Sequence, residues 1–331
     1  MELALVVTVV VIALIFDYTN GFHDAANAIA TSVSTRALTP RVALILASVM
    51  NLAGALVSEG VANTIGSGII TPPVDSHGMT VVLSGLLGAI TWNLITWRLG
   101  LPSSSSHALI GGLIGAGLAA SVTVHWEIIL DKVAIPMVLS PLLGFLLAYF
   151  VMVGLLWIFR KASPAKVNRG FRAGQSVSAA AIAFGHGLQD AQKTMGVIVL
   201  ALVTADLHEG DGVPLWVKLA AAGAIALGTY AGGWRIMRTL GRRVIKLDPA
   251  RGVAADLTSS SVLYVMAIGL HAPVSTTHTI SSAIMGVGAT ERLSAVRWGI
   301  AGNIVTAWVL TIPMAAAVAA GIYGVAQLAL P

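Results

Sequence analysis

Residues Gly21 to Thr31 read GFHDAANAIAT, directly after an uninterrupted apolar run from Leu3 to Phe16. If that run is a membrane helix, Asp24 and Asn27 lie at membrane depth on one helical face, with Thr31 a further turn along. An ionisable group in that setting is expensive and is normally kept because it works. The motif returns as GLQDAQKTMGV from Gly187 to Val197, where Gly187 answers Gly21 and Asp190 answers Asp24, both 166 residues on (187 − 21 and 190 − 24). Two carboxylates at matched places in two halves point to a built site.

The rest of the composition agrees with a membrane setting. Of the 331 residues, 56% are hydrophobic and 10% charged, against roughly 25% charged in soluble chains, and the mean hydropathy is +0.87. Glycine is abundant at 35 residues, as expected where helices pack closely or the backbone is broken at membrane depth. There is no cysteine, which excludes disulfides and thiolate metal sites. The first apolar segment has no basic leader and no A-x-A site before Asp17, so it reads as a retained helix. The net charge of +5 collects in two segments, 160–172 and 235–251. That distribution speaks for membrane orientation and against nucleic-acid binding.

Taken in order, the first helix is expected to break around Tyr18-Thr19-Asn20-Gly21. Spanning runs follow at Val42–Val57, Met79–Trp97, Ile128–Phe159 (bent by Pro136 and Pro141), Leu215–Trp234, Val253–Leu270 and Val296–Leu330. An acidic loop lies at 205–213. Pro102 followed by Ser103, Ser104, Ser105, Ser106 and His107 sits in an apolar context. Such a segment is tolerated only where buried in protein or lining a cavity, which predicts a re-entrant hairpin. Its counterpart is Pro273-Val274-Ser275-Thr276-Thr277-His278, at an offset of 171 (273 − 102). Thr64-Ile65-Gly66 is answered by Thr239-Leu240-Gly241 at 175 (239 − 64), and Pro141 by Pro313 at 172 (313 − 141).

Four landmarks in conserved order describe an internal duplication. With both basic segments cytoplasmic, equivalent positions face opposite sides, as inverted-topology repeats require. The expected fold is an all-α polytopic membrane protein of two inverted-topology repeats with broken helices and re-entrant hairpins. Repeat 1 covers 1–159 and repeat 2 covers 174–331, joined by a cytoplasmic basic linker at 160–173.

The chemistry follows from the donors. Hydroxyls at helix starts, with free backbone N–H groups behind them, make anion-binding ends. Ser103–Ser106 and Ser275–Thr277 supply two of these. Asp24 and Asp190, with Asn27, Asn51 and Thr31, suit a hard cation travelling with the anion, or a proton. Lys193 stands one turn after Asp190, placed to neutralise it or to touch the anion. His107 and His278 either cap the hairpins or meet substrate. An oxyanion carried with cations is the cargo these groups suit; phosphate, sulfate and carboxylate are not separated on these grounds. The chain carries neither HExxH, nor a G-x-S-x-G elbow beside a membrane histidine, nor a Walker motif. No enzyme, no primary pump and no resident metal is expected. An anion channel is the rival in kind, since re-entrant hairpins also build filters.

Four stretches also carry a resemblance: GFHDAANAIATSVSTRALT (21–39), LPSSSSHALIG (101–111), FGHGxxDAQKTMG (184–196) and PVSTTHTISSAIMG (273–286). Together they resemble the PiT family of inorganic phosphate transporters over nearly the whole chain. The resemblance implies a multi-pass inner (plasma) membrane protein that imports phosphate coupled to H+ or Na+. In the bacterial branch the cargo is a neutral phosphate complex of Mg2+ or another divalent ion. Sodium-coupled members usually carry Glu where Asn51 stands, which favours proton coupling here. The second motif departs from the usual G-A-N-D, reading Gly187-Leu188-Gln189-Asp190, so Gln189 is a longer amide ligand. The expected partners are phosphate, the lipid bilayer and a second copy of the chain in a homodimer, with no covalent cofactor and no nucleic acid.

Overall fold

The computed structural model describes residues 3–209 and 212–329. Of the acidic loop 205–213, Gly210 and Asp211 lie outside the described residues. The first half comprises α1 (Leu3–Ser34), α2 (Pro40–Ala55), α3 (Gly60–Gly68), α4 (Ser76–Leu99), α5 (Ser105–Ala119), the short α6 (Trp126–Ile128) and α7 (Ile135–Ile158). A π-helical turn, Ile129–Ala134, joins α6 to α7 just ahead of Pro136. The second half comprises α8 (Pro164–Thr204), α9 (Leu215–Ala231), α10 (Trp234–Arg238), α11 (Pro249–Tyr264), α12 (Thr276–Ala289) and α13 (Trp298–Ala329). Among the described residues the fold is all-α except for a ribbon of two residues per strand, β1 (Ile70–Thr71) antiparallel to β2 (Thr123–Val124).

Among the described residues five helices are long and apolar enough to cross a membrane, or seven if each of two bent pairs is one span. Those pairs are the broken helices: α2 and α3 meet at 72°, and α9 and the 234–243 segment at 55°. α7 and α13 form the outer wall, with Phe150, Trp157 and Val309 turned outward where lipid would cover them. At the centre α8 runs for 41 residues; His186 to Thr194 are all buried.

Two expectations are corrected. α1 is continuous from Leu3 to Ser34, with no break at Tyr18–Gly21. Asp17, Thr19, Asn20 and Gly21 are buried against neighbouring helices, which cover these residues in place while the helical backbone stays intact. The basic linker 160–173 is mostly helix. Pro164 takes the first position of α8, where a missing N–H costs nothing, and Lys166, Arg169 and Arg172 ride exposed turns of that helix. Likewise 235–251 is largely α10, a π-helical turn at Thr239–Arg243 and the start of α11.

The two halves are assembled by matched contacts. A Cβ on Gly21 would meet the carbonyl of Ile225 at 2.4 Å, and one on Gly187 the carbonyl of Asn51 at 2.1 Å. Gly228 sits 2.1 Å, measured the same way, from the carbonyl of Tyr18, and Gly54 2.1 Å from that of Phe184. These pairs map onto one another at offsets of 166 and 174 (184 − 18 and 228 − 54). The crossing of α1 with α9 is therefore the crossing of α8 with α2, and only glycine permits either.

The chain reversals match too. Thr239 donates to the Gly100 carbonyl at 2.8 Å, and Thr64 to the His271 carbonyl at 2.9 Å. Gly100 and His271 occupy the left-handed region at φ +69 and +51. α5 lies on α13 of the other half, and α12 on α7.

α1 and α8 run antiparallel. Asp17, early in α1, is beside Thr194, late in α8. Thr35, just past the end of α1, bonds Gln175 near the start of α8. The basic segments share one end of the molecule: Gln175 lies against Gly252, Gly241 against Ser34, and the Arg297 N–H donates to Val244. At the opposite end Glu59 pairs with Lys218 and accepts from the Val213 N–H.

Candidate functional site

Where α1 and α8 cross, the starts of α5 and α12 meet. The local sequence dictates both starts. Pro102 and Pro273 cannot continue a helix, and the second residue after each is a serine that caps the new helix: Ser104 accepts from the His107 N–H at 3.2 Å, and Ser275 from the His278 N–H at 3.1 Å. The first N–H groups of α5 and α12 precede any intrahelical bond and point out of the helix ends. The ends are close, since Ser106 Oγ reaches the Val274 carbonyl at 3.5 Å and the His107 and His278 rings are 4.7 Å apart.

Each helix end meets one carboxylate. Ser105 donates to Asp24 Oδ2 at 3.1 Å, and its counterpart Thr276 donates to Asp190 Oδ2 at 3.2 Å. Thr277 donates to Asp24 Oδ1 at 3.3 Å while accepting from Asn27 Nδ2 at 2.8 Å. The counterpart of Asn27 is Lys193 (193 − 27 = 166), and the counterpart of Thr277 is Ser106. Lys193 bonds Ser106, pairs with Asp190 and reaches the Val274 carbonyl at 3.1 Å. Three acceptors use the three ammonium protons, so Lys193 ties both hairpins to Asp190.

The structure thus brings together Asp24, Asn27, Asp190, Lys193, Ser105, Ser106, Thr276 and Thr277, all at most 2% exposed, with Ser104 and Ser275 as caps. Other expected residues stand apart. Ser103 turns back to Thr96 at 2.8 Å. Gln189 donates to the Ala272 carbonyl at 3.2 Å and so braces the second reversal. Its counterpart His23 lies 2.6 Å from Asp24 Oδ1 and 3.2 Å from Thr96, bracing the first. Thr31 is drawn to Asp256 at 2.8 Å, in a separate cluster with Ser178. Neither His107 nor His278 caps a hairpin through its ring; His278 stacks on Trp308 at 4.1 Å.

Asn51 is one step removed. Its Nδ2 donates to Thr229 at 2.7 Å, which leaves its Oδ1 to accept from His186 Nδ1 at 3.1 Å. Nδ1 therefore carries a proton, and Nε2 lies 2.9 Å from Asp190 Oδ2, where it pairs with the carboxylate when the ring is doubly protonated and is open to a metal ion when it is not. Asp24, His186 and Asp190 offer ligand atoms within 4.8 Å of one another, an arrangement able to hold a metal ion. Asp24 and Asp190 are the carboxylates the sequence assigns to a travelling cation; His186 is not among its candidates, although its i, i+4 spacing to Asp190 stands in the sequence.

The molecule is of a definite class: a multi-span helical membrane protein whose polar site lies between two halves, at the ends of interrupted helices. Residues 20–319 match the model of the phosphate transporter family, and the chain belongs to that family. It is 46% identical over 328 residues to a probable low-affinity inorganic phosphate transporter of Bacillus subtilis, covering 98% of each chain. A protein of the same description from Rhizobium meliloti is 48% identical, covering 98% of this chain and 97% of that one. Among solved structures, one titled the sodium-dependent phosphate transporter superposes with a TM-score of 0.89 at 26% identity, over 99% of this chain and 100% of that one. The family and these relatives are transporters, not enzymes.

Proposed function

We propose that the protein imports inorganic phosphate across the inner (plasma) membrane by symport with a cation, through two inverted-topology repeats, 1–159 and 174–331. The observation that carries this reading is the convergence of two capped helix N-termini on the carboxylates of Asp24 and Asp190. The helix ends suit the oxyanion: N–H groups and hydroxyls of Ser105, Ser106, Thr276 and Thr277 would donate to its oxygens. The carboxylates do not suit it. Counted formally with histidine neutral, Asp24 and Asp190 against Lys193 leave the buried centre one negative charge (2 − 1). An anion enters such a site only with cations, which argues for symport and against a simple anion channel.

The mixed donor set of Asp24, His186 and Asp190 supports a divalent metal travelling with phosphate as a neutral complex. Imidazole with carboxylate suits first-row divalent ions better than Mg2+, which takes oxygen ligands. The driving ion is then a proton in our reading, because Asn51 offers no charge to a sodium ion. Sulfate or another oxyanion is the alternative cargo. A homodimer is the assembly we propose, for cross-linking in native membranes to test.

Phosphate counterflow in proteoliposomes tests the cargo. Labelled phosphate should exchange against internal phosphate and be competed by arsenate, with sulfate ineffective at a tenfold excess. Equal competition by sulfate would withdraw phosphate as the specific substrate.

A further inference from the structure

Three carboxylates face this interior, and two of them are explained. Asp24 is bonded by Ser105, Thr277 and His23, and Asp190 by Lys193 and Thr276. Asp17 is fully buried, yet neither of its oxygens has a hydrogen-bond partner. Beside it are two further buried groups in the same condition: both side-chain polar atoms of Asn20, and the hydroxyl of Thr194. A buried polar group left unpaired costs on the order of 1–3 kcal/mol, and an unpaired charge more. Asp17 and Asn20 of α1 and Thr194 of α8 lie side by side, and three such groups together point to a ligand.

Asp17 also breaks the internal symmetry. Its counterpart in the second half is Ala183 (17 + 166), so neither the repeat nor the crossing of α1 with α8 requires a carboxylate there. Its charged neighbours are Asp190 and Lys193 of α8; none comes from α4 or α9, which also pack on α1. Asp17 is two turns from Asp24, about 10 Å along the helix, toward the end where Glu59 meets Lys218. A cavity of about 830 Å³ opens at that end, lined by Val199, Leu200 and Thr204 of α8, only a few residues beyond Thr194.

We propose that Asp17, Asn20 and Thr194 form a second cation site, which takes up the co-transported monovalent cation before it reaches the Asp24–Asp190 centre. The ligand chemistry is one positive charge on a carboxylate, completed by an amide oxygen and a hydroxyl. H+ and Na+ both satisfy it. The site rests on the symport reading above, and it separates the driving ion from the ion that travels bound to phosphate.

The test uses the full chain in proteoliposomes, with wild type, Asp17→Asn and Thr194→Val. Concentrative phosphate uptake is measured under an imposed pH gradient and, separately, an imposed Na+ gradient; phosphate–phosphate exchange is measured with neither. In Asp17→Asn the uptake driven by the effective gradient should fall at least tenfold while exchange stays within twofold of wild type. Thr194→Val should raise the half-saturating concentration of the driving ion severalfold. The gradient that drives wild type identifies the ion, and a thermal shift by NaCl that disappears in Asp17→Asn would mark it as Na+. Gradient-driven uptake by Asp17→Asn equal to wild type overturns the site and leaves symport standing. Loss of exchange together with uptake also overturns it, since Asp17 would then serve the phosphate site itself. A wild type indifferent to both gradients overturns symport, and this site with it.

Discussion

Asp24 and Asp190 hold equivalent places but unequal company. Asp24 is met by hydroxyls, an imidazole and, through Thr277, an amide; Asp190 is met by a full ammonium charge. Replacing either by Asn removes the negative charge and one of the two acceptor oxygens at a helix end. Cation-dependent uptake should fall by about 100-fold, the scale of losing one member of a buried charged network. Near-wild-type uptake by either variant would reduce that Asp to a structural role. Asn51 reaches the centre only by orienting His186. Asn51→Glu puts a carboxylate beside that ring and should create Na+ stimulation, read as uptake at fixed pH with NaCl against choline chloride. The carboxylates were legible because a repeated charge in an apolar run has few innocent explanations. Asp17 and His186 were not, because only the packing of α1 on α8 reveals that one is unpartnered and the other supplies a ligand atom.

The elements owe their arrangement to glycine and to capped reversals. The crossings at Gly21 with Gly228 and at Gly54 with Gly187 bring backbones so near that no side chain fits. Gly187→Val should therefore abolish folded protein, measured as the monodisperse fraction in fluorescence-detected size exclusion. Gly154→Ala, with nothing within 4 Å of the added Cβ, should behave as wild type. A well-folded Gly187→Val would contradict the close crossing. The hairpins were readable from Pro102 and Pro273, since a proline followed by hydroxyls marks a helix start. The continuity of α1 was not readable. Asp17, Asn20 and Gly21 resemble a break in one dimension, and only the neighbouring helices show why the backbone need not open. The basic segments misled for a related reason: a helix that leaves the membrane carries charge all round and loses the apolar period that would announce it.

At the scale of the whole molecule the charges sort by end, and the sorting defines an orientation. Exposed positions at the basic end include Ser163 and Lys246; Glu209 is exposed in the acidic loop. Single cysteines at Ser163 and Lys246 should react with a membrane-impermeant maleimide only from the cytoplasm, and one at Glu209 only from outside. The chain has no native cysteine to interfere. Thr239 is unsuitable as a probe, being buried on Gly100. Labelling of Ser163 and Glu209 from the same side would remove the inverted arrangement. The duplication from which that arrangement is inferred was visible in the sequence as ordered landmarks at drifting offsets. What the folded chain adds is that the landmarks touch: the Thr64–His271 and Thr239–Gly100 bonds pair elements far apart in the chain.

The central claim, that a cation drives phosphate through this site, is tested most directly by labelled phosphate uptake into proteoliposomes with pH and Na+ gradients imposed one at a time. An inward proton gradient should drive phosphate above equilibrium, more strongly when a divalent metal is present outside, and replacing Na+ by choline should change nothing. Uptake that only equilibrates, whatever gradient is imposed, would contradict it.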